Sequence, residues 1–396
     1  MKKGVKALLS GIMAISLAAC GSSSSSAATS EATSGSDSAS SSAGAASASS
    51  TGTVAGFDKA ANEIGVVLVV NTNLGDHAIC DLSNQGLEEA AAKYGFRTKV
   101  VELAGDTTLQ LPTFEEYAED PDYDIIIAGT PNLKEAMQQA AQEYPDQKFI
   151  LYDCQDDLGL PNIFSMDHAQ NEGSYLAGVA AALLTTSDAE LANSDKVVGF
   201  VGGSENTALD DYLVGYIQGV HSVDEDINIL VSWIGDFKDT AKGKELAQAQ
   251  ANQGADVIFS VAGGAGLGTL AGCAESNIYS IGVDSDQYTV LLPTDPDVAK
   301  HICTSMYKKA DVTVSTLLGM ALDGTLEWGS YVKWGLKEGV VGLATDNDNY
   351  NSIFTEDMRQ KISDVQESAT DGELTIKSAI GMETAELQEI LATATK

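Results

Sequence analysis

Several predicted strands end in glycine or aspartate, residue types that can bind a small polar ligand at such positions. Glycine lets backbone N–H groups approach a ligand closely, and one carboxylate can accept hydrogen bonds from two neighbouring hydroxyl groups. A single residue of this kind is more often a turn or a helix cap, so the signal is their shared position. These strand-end residues include Gly129, Asp153, Gly202, Gly263 and Asp284.

A different chemistry is indicated at Cys20. Lysines in residues 2–6 precede an apolar stretch over residues 7–17, and small residues stand immediately before the cysteine. This order is typical of a secretory signal peptide, and a cysteine after the small residues is its lipoprotein form, in which the thiol is acylated. The apolar stretch is shorter than the about 20 residues that span a bilayer. We expect residues 1–20 to be a lipoprotein signal peptide, and a lipid on Cys20 to anchor the chain at the extracytoplasmic face of the cell membrane.

Composition predicts a tether followed by two lobes. Residues 21–57 are rich in Ser, Ala, Thr and Gly, which favours a disordered, flexible coil. The roughly 340 residues that follow exceed one ordinary core and suit two lobes. The formal net charge is −35, from 57 acidic and 22 basic residues, which repels nucleic acid and anionic lipid.

The order of elements predicts an α/β fold. From residue 64 onward, short β-branched runs alternate with helical patterns, and the runs are nearly all apolar. Such strands are typical of a parallel sheet covered on both faces. We predict two doubly wound α/β lobes joined by a hinge, with a ligand between the carboxyl ends of their strands. The predicted boundaries are 58–166 with 287–325 for the N-terminal lobe, and 167–286 with 326–396 for the C-terminal lobe.

Cysteine and histidine spacing leaves one question open and predicts no metal site. Cys80, Cys154, Cys273 and Cys303 either form up to two disulfides or remain free, buried thiols, and the sequence does not separate these alternatives. The four histidines have no metal-ligand spacing with each other or with the cysteines.

No catalytic motif stands out. Residues 266–271 follow a strand, open a helix and match a dinucleotide-binding fingerprint, but they lie in the last repeats of the second lobe. A nucleophile elbow, a Walker A lysine and a His-Glu-x-x-His motif are all missing from the sequence. We therefore predict no cofactor and no catalytic residue.

Six segments of the chain form a recognisable set when they are taken together. They are Asn171–Gly178, Val198–Gly203, Gly235–Asp239 with Lys242–Lys244, Gln253–Phe259, Ile281–Gln287 and Thr304–Lys308. The set resembles the basic membrane lipoprotein family, the purine-nucleoside-binding receptors of ATP-driven importers, and its last segment is similar to the family's Thr-Ser-x-x-Lys. The resemblance extends from about residue 64 to residue 372.

The resemblance implies a type I periplasmic-binding-protein fold with a nucleoside closed between two lobes. In the family an aromatic residue stacks on the base, and Phe237 occupies that position. A backbone group at Gly263, the carboxylate of Asp284 and the amine of Lys308 are implied to hold the ribose hydroxyls. These roles are physically reasonable, since a vicinal diol needs a bidentate acceptor and a donor.

The first-lobe loop departs from the family pattern. The acidic position is kept as Asp76, whereas Ile79 and Asn84 replace two aromatic residues. Loss of one stacking face is worth about 1–3 kcal/mol if base stacking in nucleic-acid complexes is a guide, and His77 is a candidate substitute. The predicted ligand-binding set is Asp76, His77, Asn84, Gly129, Phe237, Gly263, Asp284 and Lys308.

The resulting expectation is a monomeric solute-binding lipoprotein, not an enzyme, that delivers a nucleoside to permease and ATPase subunits on separate chains. A receptor for a sugar or another small polar solute on the same fold is the main alternative. An exported nucleoside-processing enzyme and a purely adhesive surface lipoprotein are the others.

Overall fold

A computed structural model describes residues 53–75 and 78–395. The predicted signal peptide, Cys20 and most of the predicted tether lie outside the described residues, as do Asp76 and His77. The described part of the chain forms one compact unit that contains two sheets of six strands each.

The first sheet is entirely parallel. Its strands are β1 (Gly65–Val70), β2 (Arg97–Glu102), β3 (Ile125–Gly129), β4 (Lys148–Tyr152), β5 (Ile163–His168) and β11 (Tyr331–Trp334). Their spatial order is β11-β5-β4-β3-β1-β2, so the direction of winding reverses between β1 and β3. Every residue of β1, β3 and β5 is buried, because helices cover both faces of the sheet.

The second sheet repeats this plan with one antiparallel strand. Its strands are β6 (Val197–Gly202), β7 (Asn228–Trp233), β8 (Ala255–Val261), β9 (Tyr279–Asp284), β10 (Ile302–Lys308) and β12 (Val341–Leu343). The spatial order is β12-β10-β9-β8-β6-β7, and only the β10–β12 pair is antiparallel. The equivalent reversal lies between β6 and β8, where doubly wound sheets open a crevice for ligands.

Thirteen α-helices are present in the described residues. They are α1 (Ile79–Tyr94), α2 (Gln110–Glu119), α3 (Lys134–Glu143), α4 (Gln170–Thr185), α5 (Thr207–Val223), α6 (Thr240–Ala251), α7 (Gly263–Glu275), α8 (Gln287–Leu291), α9 (Pro296–Ala299), α10 (Ala310–Leu322), α11 (Asp348–Ile353), α12 (Glu356–Thr370) and α13 (Thr384–Ala392). The two-lobe α/β architecture predicted from the sequence is confirmed.

The chain crosses between the lobes three times. It leaves the first sheet after β5 and enters α4, which packs on α5, β10 and β12 of the second lobe. It returns after β10 into α10, which packs on α1 of the first lobe. The last crossing joins β11 to β12. These three connections form the hinge of the molecule.

The lobe boundaries predicted from the sequence differ from the observed ones. Residues 287–308, expected in the first lobe, form α8, α9 and β10, and β10 pairs with β9 in the second sheet. Residues 331–334, expected in the second lobe, form β11 and pair with β5 in the first. A short apolar strand looks the same in either sheet, so only its pairing partner assigns it to a lobe.

The predicted tether also ends earlier than expected. Thr53 forms an isolated antiparallel bridge with Ala60, and Gly56 N donates to Leu322 O at 3.1 Å. The side chain of Phe57 is partly buried against the core of the first lobe. Residues 53–57 therefore belong to the folded domain, since apolar contacts offset the entropy of ordering them.

Candidate functional site

A cavity of about 780 Å³ lies between the carboxyl ends of the two sets of strands. The first lobe contributes the segments after β1, β3 and β4 and the start of α1, and the second lobe contributes the starts of α5 and α7 and the ends of β9 and β10. This is the position at which open α/β sheets bind ligands. Of the residues proposed from the sequence and described by the structure, four line the cavity: Phe237, Gly263, Asp284 and Lys308.

Phe237 gives the second-lobe wall a flat apolar face, and its side chain is 41% exposed. It lies between β7 and α6, two residues after Gly235, which has a positive φ of 101°. The Phe237 carbonyl accepts a hydrogen bond from Ala265 N at 2.9 Å, which ties this loop to the first turn of α7. A Cβ atom on Gly203 would lie 2.4 Å from the ring, so glycine at that position leaves room for it.

The start of α7 brings backbone groups to the same wall. Gly263 has a φ of 51°, a left-handed conformation that glycine adopts without steric cost. The first N–H groups of a helix have no partner within the helix. Gly263 and Gly264 line the cavity, so their backbone can approach a ligand without an intervening side chain.

Asp284 and Lys308 lie side by side at the ends of β9 and β10. These strands are parallel neighbours in which Asp284 is the register partner of Tyr307, the residue before Lys308. Asp284 has a φ of 68°, and the turn that follows is held by the Gln287 side chain, whose Oε1 accepts from Val283 N at 3.1 Å. A carboxylate and an ammonium are thereby placed on one edge of the cavity.

Lys308 is buried, and an acid of the other lobe neutralises it. Its Nζ lies 2.8 Å from Oδ1 of Asp153, the residue after β4, and 5.6 Å from the centre of the Tyr212 ring. Burial by itself would lower the pKa of the Lys308 ammonium. The nearby Asp153 carboxylate stabilises the charged form, so that the pKa of Lys308 is raised. Burial likewise opposes the charge on Asp153, yet Lys308 and His168 lower the pKa of its carboxyl group. Both groups are therefore ionised at neutral pH.

His168 completes this buried network at the first crossing. Its Nδ1 lies 3.4 Å from Asp153 Oδ1 and its Nε2 lies 2.9 Å from the Thr313 hydroxyl. Burial lowers the pKa of His168, so the ring is neutral, donates from Nδ1 and accepts at Nε2. His168 lies at the start of the β5–α4 connection, and Lys308 lies at the start of the β10–α10 connection. The network therefore joins two of the three hinge connections.

Asp167 is a second buried acid at the hinge. It is fully buried in β5, and neither carboxylate oxygen has a hydrogen-bond partner among the described residues. Its register partner Lys333 on β11 donates instead to the Ser378 hydroxyl at 3.2 Å. Burial, with a contribution from Asp153, raises the pKa of Asp167 to about 7.

Two residues proposed from the sequence do not line the cavity. Asn84 lies further along α1, whereas the cavity is lined by Ile79 and Cys80 at the start of that helix. Gly129 is buried in β3, where a Cβ atom would meet the Tyr152 ring at 2.2 Å. Gly129 therefore makes room for Tyr152 and does not present a backbone group to the ligand.

The structure adds residues that the sequence argument left out of the site. Asp153 is the main one: its strand-end position was noted, but its pairing with Lys308 joins residues far apart in the chain and leaves no local pattern. Thr130, Gln155 and Tyr212 also line the cavity. The four cysteines of the domain are buried and are not joined by disulfides in the described residues, which favours the thiol alternative.

Two further observations concern membranes and metals. Within the part of the chain that the structure describes, no helix has both the length and the hydrophobicity to cross a bilayer. The same residues contain no cluster of three or more His, Cys, Asp or Glu side chains positioned to hold a metal ion.

Two α/β lobes joined by three crossings, with a cavity between them, are the architecture of the type I periplasmic-binding-protein fold. A solute-binding protein of an ABC transporter system from Aeropyrum pernix superposes with a TM-score of 0.71 at 21% identity, covering 84% of this chain and 98% of that chain. This likeness confirms the type I periplasmic-binding-protein fold.

The family is shown by sequence. A profile described as "Bmp: ABC transporter substrate-binding protein PnrA-like" matches residues 64–378, and the chain belongs to this family. A CD4+ T-cell-stimulating antigen of Listeria innocua is 29% identical over 95% of this chain and 99% of its own length. A protein of Lactococcus lactis named "ABC transporter nucleoside-binding protein BmpA" is 28% identical over 74% of this chain and 84% of its own length.

Proposed function

We propose that this substrate-binding protein captures a nucleoside, with a purine as the leading candidate, between its two lobes. The observation that carries the proposal is the placement of an exposed aromatic face, Phe237, in the same cavity as the carboxylate of Asp284 and the ammonium of Lys308. A nucleoside has matching parts: a flat ring for the aromatic face and a vicinal diol for the charged pair. The printed name of the Lactococcus lactis relative is consistent with this ligand.

Each charged group has a defined role in holding the ribose. The Asp284 carboxylate accepts from two neighbouring hydroxyl groups, and the Lys308 ammonium donates to their lone pairs. Asp153 fixes the ammonium through the ion pair at 2.8 Å, so little entropy is lost when the sugar binds. The backbone at Gly263 provides an uncharged contact beside them.

The base has one aromatic face and one aliphatic face. Phe237 lies on the second-lobe wall, and Ile79 at the start of α1 lines the first-lobe wall. An isoleucine packs on a ring through dispersion and the hydrophobic effect but lacks the π-face that an aromatic residue offers. The roles of Asp76 and His77 remain predictions because both lie outside the described residues.

The protein binds its ligand without altering it. Asp284 and Lys308 suit the binding of a diol. Cys80 also lines the cavity, and its thiol forms a hydrogen bond with the Thr72 hydroxyl at 3.2 Å. The family is described as an ABC transporter substrate-binding protein, and the Lactococcus lactis relative is named as a nucleoside-binding protein of such a transporter, which supports a binding role. Delivery then requires permease and ATPase subunits on separate chains, and a monomeric receptor suits that encounter.

Calorimetry with a ligand panel tests the proposal. The panel contains guanosine, inosine, adenosine, uridine, free guanine, ribose and myo-inositol, and the mixtures are analysed afterwards by chromatography. We expect purine nucleosides to bind and to be recovered intact. Binding of a sugar without any nucleoside would favour the sugar receptor, turnover would favour an enzyme, and no binding in the panel would contradict the proposal.

We also propose that Cys20 carries the lipid anchor at the extracytoplasmic face of the membrane. The support is the sequence pattern around Cys20 together with the ABC transporter family. Metabolic labelling with a radioactive fatty acid should label the wild-type chain and leave Cys20→Ser unlabelled. Equal labelling of both chains would contradict the anchor.

A further inference from the structure

Two polar groups on the first-lobe wall have no hydrogen-bond partner among the described residues. Thr130 and Gln155 both line the cavity, and the Thr130 hydroxyl oxygen and the Gln155 amide nitrogen are the buried atoms concerned. Leaving such a group unsatisfied is unfavourable, because it has lost its hydrogen bonds to water and gained none in return. Both follow neighbouring strands, since Gly129 at the end of β3 is the register partner of Tyr152 at the end of β4.

Two other polar side chains that line this wall already have partners. The side-chain oxygen Oδ1 of Asn71 accepts a hydrogen bond from Gln110 Nε2 at 3.2 Å, and Asp153 is paired with Lys308 at 2.8 Å. Among the described residues of this wall, Thr130 and Gln155 are distinguished by a buried side-chain polar atom without a hydrogen-bond partner.

The backbone at Thr130 is strained. Thr130 has a φ of 83°, which is a rare conformation for a β-branched residue, and the following Pro131 restricts it further. Such a conformation is energetically unfavourable and clusters at ligand clamps and active sites. A less strained residue would serve if only the turn mattered, so the strain points to a use for the hydroxyl group at this place.

The two side chains share a chemical property that suits the edge of a heterocycle. A hydroxyl group can donate or accept, and an amide offers a donor and an acceptor that exchange places when it rotates. A ring that stacks on Phe237, on the second-lobe wall, exposes its polar edge to the groups around it. Thr130 and Gln155 can meet either a carbonyl beside a ring N–H or an amino group beside a ring nitrogen.

We infer that Thr130 and Gln155 read the hydrogen-bonding edge of the bound base. The inference rests on the proposed nucleoside-binding function and deepens it: the ligand is a planar heterocycle with an exocyclic carbonyl or amino group next to a ring nitrogen. The pair accepts both patterns and discriminates against a ring that has neither.

The inference is tested by removing hydrogen-bonding groups from the protein side chains and, separately, from the base of the ligand. Inosine, adenosine and purine riboside, which carries only hydrogen at position 6, are titrated into wild-type protein, Thr130→Val and Gln155→Leu. Valine keeps the β-branch of threonine and removes only its hydroxyl group. We expect each variant to bind inosine and adenosine at least about fivefold more weakly, and purine riboside within about twofold of the wild-type affinity.

Two controls separate the possible outcomes. Thr130→Ser keeps the hydroxyl group and should bind all three ligands like the wild type, and unfolding midpoints report on folding of every variant. If the wild type binds nucleosides and the variants lose affinity for all three equally, or for none, the edge-reading role is overturned while the proposed function stands. If the wild type binds none of the three, the proposed function itself fails.

Discussion

Lys308 and Asp153 form a buried ion pair, with 2.8 Å between Nζ and Oδ1, that connects the two lobes at the edge of the cavity. Lys308 ends β10 of the second sheet, and Asp153 follows β4 of the first. Because Lys308 also lines the cavity, one contact joins the hinge to the ligand site. Removing either partner should strongly destabilise the fold, because it leaves an uncompensated charge in the protein interior.

Asp153→Asn should strongly destabilise the protein. Removing one member of a buried ion pair costs about 3–5 kcal/mol, and urea denaturation measures the loss. The matched control is Asp156→Asn, which removes an exposed acid paired with Lys134 at 2.6 Å and should change stability by less than about 1 kcal/mol. Equal unfolding free energies for the two variants would contradict the prediction that the Lys308–Asp153 ion pair is important for stability.

Phe237→Ala should weaken nucleoside binding while leaving the fold intact. Aromatic stacking on a base is worth about 1–3 kcal/mol, which corresponds to a roughly 5- to 150-fold loss of affinity in calorimetry. The ring is 41% exposed, so the unfolding midpoint should barely change. Leu292→Ala removes a comparably exposed apolar side chain, 44% exposed, outside the cavity and should leave affinity unchanged. An unaffected Phe237→Ala would place the base elsewhere.

Asp284→Asn should reveal a contact with the ribose hydroxyls. A hydrogen bond to a charged acceptor contributes about 1.5–3 kcal/mol, so guanosine should bind at least about tenfold more weakly. For 2′,3′-dideoxyguanosine, which lacks the diol, the wild type and the variant should differ little. A loss of the same size for both ligands would show that Asp284 acts on the cavity as a whole.

Asp167 should make the protein less stable as the pH rises. Its folded-state pKa of about 7 exceeds the unfolded value of about 3.9, so the folded state binds more protons between pH 4 and pH 7. The free energy of unfolding contributed by this group therefore falls as the pH rises through that window. Three pKa units correspond to roughly 4 kcal/mol at most.

The substitution Asp167→Asn removes the titratable carboxyl group and tests this predicted pH dependence of stability. Urea denaturation at pH 8 should show the variant to be more stable than the wild type, because a buried, unpartnered charge is gone. At pH 5, where Asp167 is protonated, the two should be nearly equal. The Asp156→Asn control should follow the wild-type pH dependence, and parallel pH curves for Asp167→Asn and the wild type would refute the prediction.

The four domain cysteines should be unreactive in the native state. Cys80, Cys154, Cys273 and Cys303 are buried thiols that form no disulfide in the described residues. Burial raises the pKa of Cys154 to about 11 and of Cys303 to about 12. A thiol reagent added without reductant should label them only after denaturation, and it should then label all four. Fewer than four reactive thiols in the denatured chain would indicate a disulfide.

Local sequence patterns predicted most elements because the driving forces are local. The run Val66–Val70 is apolar and β-branched, so it is predicted as a strand over 64–70 and observed as Gly65–Val70. Helix α7 is an exception: the sequence predicts that residues 266–271 open this helix, whereas it begins at Gly263. Glycine disfavours helix, but the hydrogen bond from Ala265 N to Phe237 O holds the first turn, a tertiary contact that propensity does not contain.

The candidate site was predictable from the sequence mainly where a residue stands in a motif of the family. Phe237 and Lys308 both stand in motifs of the family, and both line the cavity. Gly129 stands at a strand end like Gly263, but the Tyr152 ring packs over it, a contact made across the sheet. Asp153 could not be recognised for a similar reason, because its partner is 155 residues away in the chain.

The three crossings have a consequence for biosynthesis. β11 and α10, contributed by residues near the end of the chain, are needed to finish the lobe that starts the domain. The first lobe can therefore not be completed until about residue 334 has left the ribosome, and expressing residues 53–168 alone would leave β5 as an unprotected edge of the first sheet.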